Sequence, residues 1–145
     1  MTPTKMSHCA YDTHYHIVFP VKYRKALLSH EITKYLEHIA RDIEERFPIE
    51  FESIWCDQNH IHILCSFSPT KHKWWEVVGI FKSITAKELF KKFPDLKKDL
   101  WWGEFWSDGY YFATVWERWW WDVVKRYVEN QGKTMWSNLQ LKLIF

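Results

Sequence analysis

Two histidines, His60 and His62, stand two residues apart in the apolar stretch HIHILCSF. Successive side chains of a β-strand point to opposite faces of its sheet, so the two imidazoles would lie side by side on one face. Because neutral imidazole is the commonest metal ligand, the pair predicts a cation site. A hydrogen-bonded structural role remains the alternative for each ring. The same spacing occurs at His14 and His16, which we interpret as structural because no third ligand follows them at useful spacing.

The C-terminal part of the sequence offers a nucleophile and a third ligand. Tyr127 and Gln131 are four residues apart in a helical pattern, so they would lie one turn apart on one helix face. A glutamine carbonyl oxygen suits magnesium or manganese. A tyrosine beside such a cation can attack a phosphodiester, because the metal polarises the phosphoryl oxygens while the phenol acts as a covalent nucleophile. The alternative is that Tyr127 packs under the sheet and Gln131 is merely polar surface.

The elements that must position these side chains follow from the hydrophobic pattern. Alternating apolar residues predict strands, and apolar residues at helical spacing predict helices that end before Pro48 and Pro94. The order β-α-β-β-α-β-α predicts an α+β fold of the split βαβ type, which is a ferredoxin- or RRM-like antiparallel sheet with helices on one face. A C-terminal helix would follow and carry Tyr127. The predicted strands are 11–19, 49–56, 60–67 and 110–116. The first and third predicted helices are 29–46 and 121–131, and the second is marked by Val77, Phe81, Ile84 and Leu89 and ends before Pro94.

Length and composition indicate one globular domain. The chain has 145 residues, of which 47% are hydrophobic and 26% charged, and we assign a single domain to 1–145, with a core at 11–131 and a tail at 132–145. No run approaches the roughly 18 apolar residues of a membrane span, and no secretory signal is visible. Three cysteines without C-x-x-C spacing are typical of reduced thiols. We therefore expect a cytoplasmic protein with no membrane partner.

Four segments of the sequence occur in an order that is typical of one family. They are YHIVFPVKYR (15–24), QNHIHILCSF (58–67), DGYYFATV (108–115) and DVVKRYVENQ (122–131). Together they resemble the single-tyrosine HUH transposases, which are the small TnpA-like enzymes of the simplest bacterial and archaeal insertion sequences, with their REP-associated relatives. The resemblance implies that His60 and His62 are metal ligands. It also implies that Gln131 is the third ligand and that Tyr127 is the catalytic nucleophile.

The resemblance also implies an activity and its partners. Such DNA transposases cut and rejoin single-stranded DNA at insertion-sequence ends through a 5′-phosphotyrosine intermediate, with Mg²⁺ or Mn²⁺ as cofactor. They recognise subterminal hairpins and are usually homodimers, in which the tyrosine helix of one subunit can complete the histidine site of the other. Lys22, Tyr23 and Arg24 are our candidates for DNA contact, by phosphate pairing and stacking. A surface loop with a packed Tyr23 is the alternative.

Tryptophans mark where the sequence departs from this family. The chain has 11 of them. Trp116 stands where relatives usually have a glycine, and Trp74 and Trp75 occupy a stretch expected to be small or polar. The rings could stack bases, could form a subunit interface, or could be an idiosyncratic surface.

Other functions remain open at this point. A non-catalytic nucleic-acid-binding module could use the same sheet, with aromatic strands stacking bases and the histidines in structural roles. A replication-initiator-type HUH nickase would share the site, although such proteins usually carry further domains. A structural zinc protein is less favoured, because no cysteine cluster accompanies the histidines.

Overall fold

The computed structural model of the protein describes residues 4–5, 10–11, 13–100 and 103–115. The predicted helix at 121–131 and the tail at 132–145 lie outside the described residues. The order of the described elements confirms the predicted α+β fold. In chain order they are β1 (Thr4–Lys5), β2 (Ala10–Tyr11), β3 (His14–Pro20), a 3-10 turn (Lys22–Arg24), α1 (His30–Arg46), β4 (Ile49–Asp57), β5 (His60–Phe67), α2 (Trp74–Lys92), α3 (Leu96–Asp99) and β6 (Tyr111–Val115).

A four-stranded antiparallel sheet, in the order β4-β5-β3-β6, carries the candidate site. Strand β5 is an interior strand with hydrogen-bonded neighbours on both sides, so the positions of His60 and His62 are set by two ladders. Across the ladder with β4, His60 lies opposite Asp57 and His62 lies opposite Trp55. Residues directly opposite on one face are close enough for their side chains to touch.

Helix α1 forms where the sequence predicts it. The hydroxyl oxygen of Ser29 accepts a hydrogen bond from the backbone N–H of Ile32 at 3.3 Å and so caps the helix. The helix ends before Pro48, since the residue before a proline disfavours helical geometry. Each fully buried aliphatic side chain contributes roughly 1.5–3 kcal/mol, which holds α1 against its neighbours β4 and α2. Its buried positions are Ile32, Leu36, Ile39, Ala40 and Ile43.

The sheet has one apolar face and one face that carries histidines. The apolar face, which we call the helix face, forms the core with α1 and α2, and its members include Ile17, Phe19, Phe51, Ile61 and Ile63. The alternate residues form the opposite face, which we call the histidine face. Four buried histidines lie on it, namely His14, His16, His60 and His62.

A register shift in β4 decides which of its side chains reach the histidine face. Strict alternation would place Asp57 on the same face as Phe51, which is in the core. The pairing with β5 shifts between Phe51 and Ser53, so one extra residue is accommodated there. Because such a bulge reverses the alternation beyond it, Trp55 and Asp57 lie on the histidine face.

Local boundaries differ from the predictions in three places. The predicted strand at 11–19 is divided, since β2 pairs with β1 in a separate two-stranded sheet and β3 begins at His14. The aromatic, β-branched sequence continues across both, so strand propensity does not show the change of partner. Helix α2 runs from Trp74 to Lys92 and so ends before Pro94 as predicted, but it extends beyond the apolar positions that mark it at both ends, and the connection after it contains the short helix α3. Among the described helices, none has the length and apolar character required to cross a bilayer.

Candidate metal centre

The two predicted ligands on β5 lie in the interior of the protein. His60 is 3% exposed and His62 is 2% exposed. Their ring centroids are 4.8 Å apart, as expected for residues two apart on one strand face. The structure therefore brings the predicted pair together, in a position where every ring nitrogen needs a partner.

One nitrogen of each ring has such a partner. Nδ1 of His60 lies 2.8 Å from Oδ1 of Asn59, and Nδ1 of His62 lies 3.2 Å from Nε2 of His16. An amide oxygen only accepts, so the Nδ1–H of His60 donates to Asn59. The Nε2 atom of a neutral His60 is then a bare lone pair.

The other nitrogen of each ring faces a carboxylate. Nε2 of His60 lies 2.8 Å and Nε2 of His62 lies 3.9 Å from the same Oδ2 atom of Asp57. Within the described part of the chain, neither Nε2 atom has a hydrogen-bond partner, although both are buried. Two lone-pair atoms 2.8 Å apart repel each other unless a positive charge lies between them. This arrangement is the one that a bound cation would stabilise.

The donor set fits a divalent cation. The ligand atoms of Asp57, His60 and His62 all lie within 4.8 Å of one another. Atoms bound to one ion at about 2.1 Å are separated by about 3.0 Å at adjacent octahedral positions and by about 4.2 Å at opposite ones. The limit of 4.8 Å is slightly wider than this, so a small rotation of the side chains would be needed for all three atoms to bind one ion. Imidazole nitrogen suits first-row transition metals such as zinc and iron, whereas carboxylate oxygen suits magnesium and manganese.

Burial favours the neutral form of His62 and of its neighbour His16. It lowers the pKa of His62 well below its ordinary value, and the neighbouring His16 and His60 lower it further. Burial likewise lowers the pKa of His16 to about 3. Only the neutral ring offers the lone pair that a cation binds. The indole of Trp55 stacks on His62 with centroids 4.5 Å apart and an interplanar angle of 10°, which fixes the plane of the ring.

The candidate DNA-binding segment is joined to the turn that bears the metal centre. The backbone N–H of Val21 donates to the carbonyl of Asn59 at 2.8 Å, so the 3-10 turn starts beside the β4–β5 hairpin. Within that turn, Tyr23 has φ 59° and Arg24 has φ 52°, a left-handed geometry that non-glycine residues adopt at a cost of about 1–2 kcal/mol. Tyr23 is 55% exposed, so the alternative of a packed Tyr23 is wrong.

Lys22 differs from its two neighbours. Its Nζ atom lies 2.7 Å from the carboxylate of Glu104, and this hydrogen bond raises the pKa of the ammonium group. The charge of Lys22 is therefore shared with a protein carboxylate, whereas Tyr23 and Arg24 are exposed at the tip of the turn.

Two predicted residues lie outside the described residues, namely Tyr127 and Gln131. Two other residues of the centre went unpredicted. We read Asp57 as part of a turn, and the signal that identifies it is its position three residues before His60, directly across the hairpin. We read His16 as structural, although its spacing from His14 was the same signal that singled out the pair on β5.

An exposed aromatic row lies on the other side of the sheet. Trp74 and Trp75 are 41% and 49% exposed, and Trp74 stacks on Phe112 with centroids 5.4 Å apart. Phe112 in turn stacks on Tyr15 at 5.3 Å. Together with the loop before α2, the rings of Trp74, Phe112 and Tyr15 line a cleft of ≈ 270 Å³. The tryptophans at 101–102 and 116–121 lie outside the described residues.

Comparison with known proteins identifies the family. The sequence profile of the family described as "Transposase IS200 like" matches residues 9–131. The chain belongs to the IS200-like transposase family. It is 32% identical over 121 residues to the ISDra2 transposase TnpA of Deinococcus radiodurans, which covers 83% of this chain and 85% of that protein. It is 32% identical over 110 residues to the transposase for insertion sequence element IS200 of Salmonella typhimurium, which covers 76% and 72%.

Solved structures agree with this assignment. A crystal structure described as that of a transposase from Deinococcus radiodurans has a TM-score of 0.71 and 29% identity, and covers 88% of this chain and 97% of that one. The structure of a REP-associated tyrosine transposase bound to a REP hairpin has a TM-score of 0.54 and 11% identity, covering 88% and 68%. The second likeness concerns the fold alone. The predicted resemblance to single-tyrosine transposases is thereby confirmed at the level of family and fold.

Proposed function

We propose that this IS200-like transposase cuts and rejoins single-stranded DNA at insertion-sequence ends, with Tyr127 as the covalent nucleophile. A divalent cation, Mg²⁺ or Mn²⁺, is held by His60, His62 and Gln131, and Asp57 adds a carboxylate oxygen. One observation carries the proposal. Two buried Nε2 atoms on one strand face a single carboxylate oxygen without any hydrogen bond among the described residues.

The chemistry exchanges one phosphodiester for another. The phenol oxygen of Tyr127 attacks the scissile phosphorus, loses its proton, and forms a phosphotyrosine bond to the 5′-phosphate of the downstream strand. The bond from phosphorus to the 3′ oxygen breaks, and that oxygen takes up a proton to become a free 3′-hydroxyl. When bound, the cation supplies Lewis-acid polarisation of the phosphoryl oxygens. Rejoining is the reverse attack by a 3′-hydroxyl, so the bond energy is conserved.

The described residues of the chain contribute orientation. The ladders on both sides of β5 fix the backbone beneath His60 and His62. Asn59 holds one ring through its Nδ1–H, and Trp55 covers the face of the other. Both Nε2 atoms are thereby held towards Asp57, so a cation bound there would meet the scissile phosphate at a fixed position.

The DNA partner that we propose is a single strand with subterminal hairpins, bound by a cytoplasmic homodimer. A DNA hairpin is consistent with the REP hairpin present in the structure of the fold neighbour. Tyr23 and Arg24 lie in the 3-10 turn beside the β4–β5 hairpin turn. A DNA strand bound at this turn would therefore continue towards His60. A non-catalytic binding module on the same sheet would not require the unbonded Nε2 atoms that face Asp57.

An adduct assay tests the proposed function. Labelled single-stranded oligonucleotides are taken from both flanks of the gene, including any imperfect palindrome, and incubated with the protein and Mn²⁺ or Mg²⁺. The expected product is a protein–DNA adduct that survives denaturant and is absent when EDTA is present. A salt-sensitive complex without any adduct, over all flanking sequences and both metals, would contradict the enzyme and support the binding module.

Replacing Tyr23 or Arg24 by alanine is expected to weaken binding of single-stranded DNA. Loss of a stacked base at Tyr23 costs roughly 1–3 kcal/mol, so Kd should rise at least fivefold. Loss of one phosphate contact at Arg24 should reduce the slope of log K against log salt by about 0.7. Fluorescence anisotropy with a labelled hairpin oligonucleotide at several salt concentrations measures both quantities.

A matched arginine provides the control for this prediction. Arg46, at the end of α1, is also exposed, and its guanidinium lies 5.5 Å from the ring centroid of Phe47. Arg46→Ala should leave both Kd and the salt slope unchanged. Equal losses for Arg24→Ala and Arg46→Ala would show that the affinity comes from overall charge and not from the 3-10 turn.

A further inference from the structure

We infer that His16 is a positioning residue for the cation centre, because it accepts the Nδ1–H of His62 and so leaves Nε2 of His62 bare towards the metal position. This inference rests on the proposed function, since it assigns a partner to one of the proposed ligands. It concerns a residue on a different strand, 46 positions away in the sequence from the ring on which it acts.

The geometry places the two rings for one specific contact. His16 lies opposite Leu64, and His62 lies opposite Val18, so the two histidines are diagonal neighbours across the β3–β5 ladder. Their planes differ by 13°, and Nε2 of His16 is 3.2 Å from Nδ1 of His62. Nearly parallel rings whose nitrogens are this close have the arrangement of an N–H···N hydrogen bond.

The single proton between these nitrogens decides whether His62 can bind a cation. If His16 donates it, a neutral His62 carries its own proton on Nε2, which points to Asp57 and cannot serve as a ligand. If His62 donates it, Nε2 of His62 is a lone pair directed towards Asp57 and Nε2 of His60. Only the second arrangement is compatible with the donor set of the centre.

The neighbouring proposed ligand, His60, has the same kind of hydrogen bond from its Nδ1–H. Nδ1 of His60 donates to Oδ1 of Asn59 at 2.8 Å, which leaves Nε2 of His60 bare towards Asp57. Metal-binding histidines generally donate their second ring N–H to an acceptor that fixes both tautomer and ring orientation. In this protein an amide serves one ligand and an imidazole serves the other.

The packing around His16 supports a role in orientation. Trp55 stacks on His62 and also lies parallel to His16, at a centroid distance of 5.6 Å and an angle of 9°. Tyr111 packs edge-on to His16 at 6.1 Å. The ring of His16 is thus held by Trp55 from β4 and Tyr111 from β6, with its Nε2 atom directed towards His62.

His14 provides an internal comparison for His16. It lies on the same strand and the same face, is also buried, and places its Nδ1 2.6 Å from Oε1 of Glu52. Its ion pair is with Glu52 on β4, and it takes no part in the contact between His16 and His62. Replacing His14 should therefore alter stability without altering the cation centre.

The test uses three variants of the full chain: His16→Phe, His16→Gln and His14→Phe. Phenylalanine keeps a ring beneath Trp55 but lacks an acceptor, whereas glutamine keeps an acceptor oxygen. Isothermal titration with Mn²⁺ measures affinity, and long-range ¹H–¹⁵N NMR of the metal-free protein reads the tautomer of His62. Thermal unfolding of each variant reports how much stability was lost.

The inference predicts a distinct pattern in these readouts. His16→Phe should bind Mn²⁺ about 10- to 100-fold more weakly, while His16→Gln and His14→Phe should stay within about threefold of the parent. His62 should be protonated on Nδ1 in the parent and in His16→Gln, and should lose this preference in His16→Phe. A structural role would instead lower the unfolding temperature of all three variants without selectively changing Mn²⁺ affinity.

Two results would overturn the inference. One is equal Mn²⁺ affinity in the parent and in a folded His16→Phe variant. The other is a parent protein in which His62 is protonated on Nε2. That result contradicts the inference even if the His16→Phe variant fails to fold. A parent protein that binds no Mn²⁺ would contradict the proposed function instead. The tautomer of His62 would still show, independently of metal binding, whether His62 donates its Nδ1–H to His16.

Discussion

A protein in which Tyr127 is replaced by phenylalanine is expected to form no covalent adduct with single-stranded DNA. Phenylalanine lacks the oxygen that would attack phosphorus, and no other group of the proposed centre can form the phosphotyrosine bond. Binding of the DNA should be little changed, because the phenol acts in the chemical step. Denaturing electrophoresis of the labelled oligonucleotide after incubation with Mn²⁺ measures the adduct, and anisotropy measures the binding.

Tyr111 supplies the control for this experiment. It is a tyrosine on the histidine face whose ring packs edge-on to His16 at 6.1 Å, and it is therefore the phenol to suspect if Tyr127 is not the nucleophile. Tyr111→Phe should still form the adduct. An adduct that survives in Tyr127→Phe and disappears in Tyr111→Phe would show that the nucleophile is Tyr111 on β6.

Replacing His62 by alanine is expected to remove both cation binding and DNA cleavage. Changes to groups that merely orient a ligand cost about 10- to 100-fold in metal affinity, so loss of a ligand itself should exceed about 100-fold. The cation supplies several kcal/mol to the transition state, and 1.36 kcal/mol corresponds to a factor of ten in rate. We therefore expect cleavage to fall by on the order of 10³-fold, measured by single-turnover adduct formation.

The control for His62→Ala is His14→Ala, which removes another buried imidazole from the same face. That variant leaves Glu52 without its partner and should be destabilised, yet it should keep its affinity for Mn²⁺. Equal losses of Mn²⁺ affinity in the two variants would mean that the effect of His62→Ala is structural.

Local sequence patterns were sufficient to predict the principal elements and one half of the centre. The cap at Ser29, the prolines that end helices, and alternation in β5 are all short-range signals. They also predicted that His60 and His62 share one face. The placement of Tyr127 and Gln131 beside them stays a prediction, because both lie outside the described residues.

The remaining part of the centre depends on register, which periodicity does not encode. Asp57 reaches the histidine face only because the pairing of β4 shifts between Phe51 and Ser53. By strict alternation from Phe51, Asp57 would point into the core beneath the helices. A turn residue and a metal ligand look the same in the sequence at this position.

His16 was missed for a related reason. Alternation shows that it lies on one face of β3, but its neighbour across the ladder depends on how a strand 46 residues away is aligned. A shift of two residues towards the end of β5 would have placed it opposite Ser66, with Leu64 in place of His62 as its diagonal neighbour. Long-range alignment of this kind follows from the packing of the whole sheet.

The central claim is that the Nε2 atoms of His60 and His62 bind one divalent cation beside Asp57. Anomalous diffraction from crystals grown with MnCl₂ tests it most directly. The expected result is one strong manganese peak bonded to both Nε2 atoms at about 2.2 Å and adjacent to the Asp57 carboxylate. Manganese bound only elsewhere, with both Nε2 atoms hydrogen-bonded to protein groups, would contradict it.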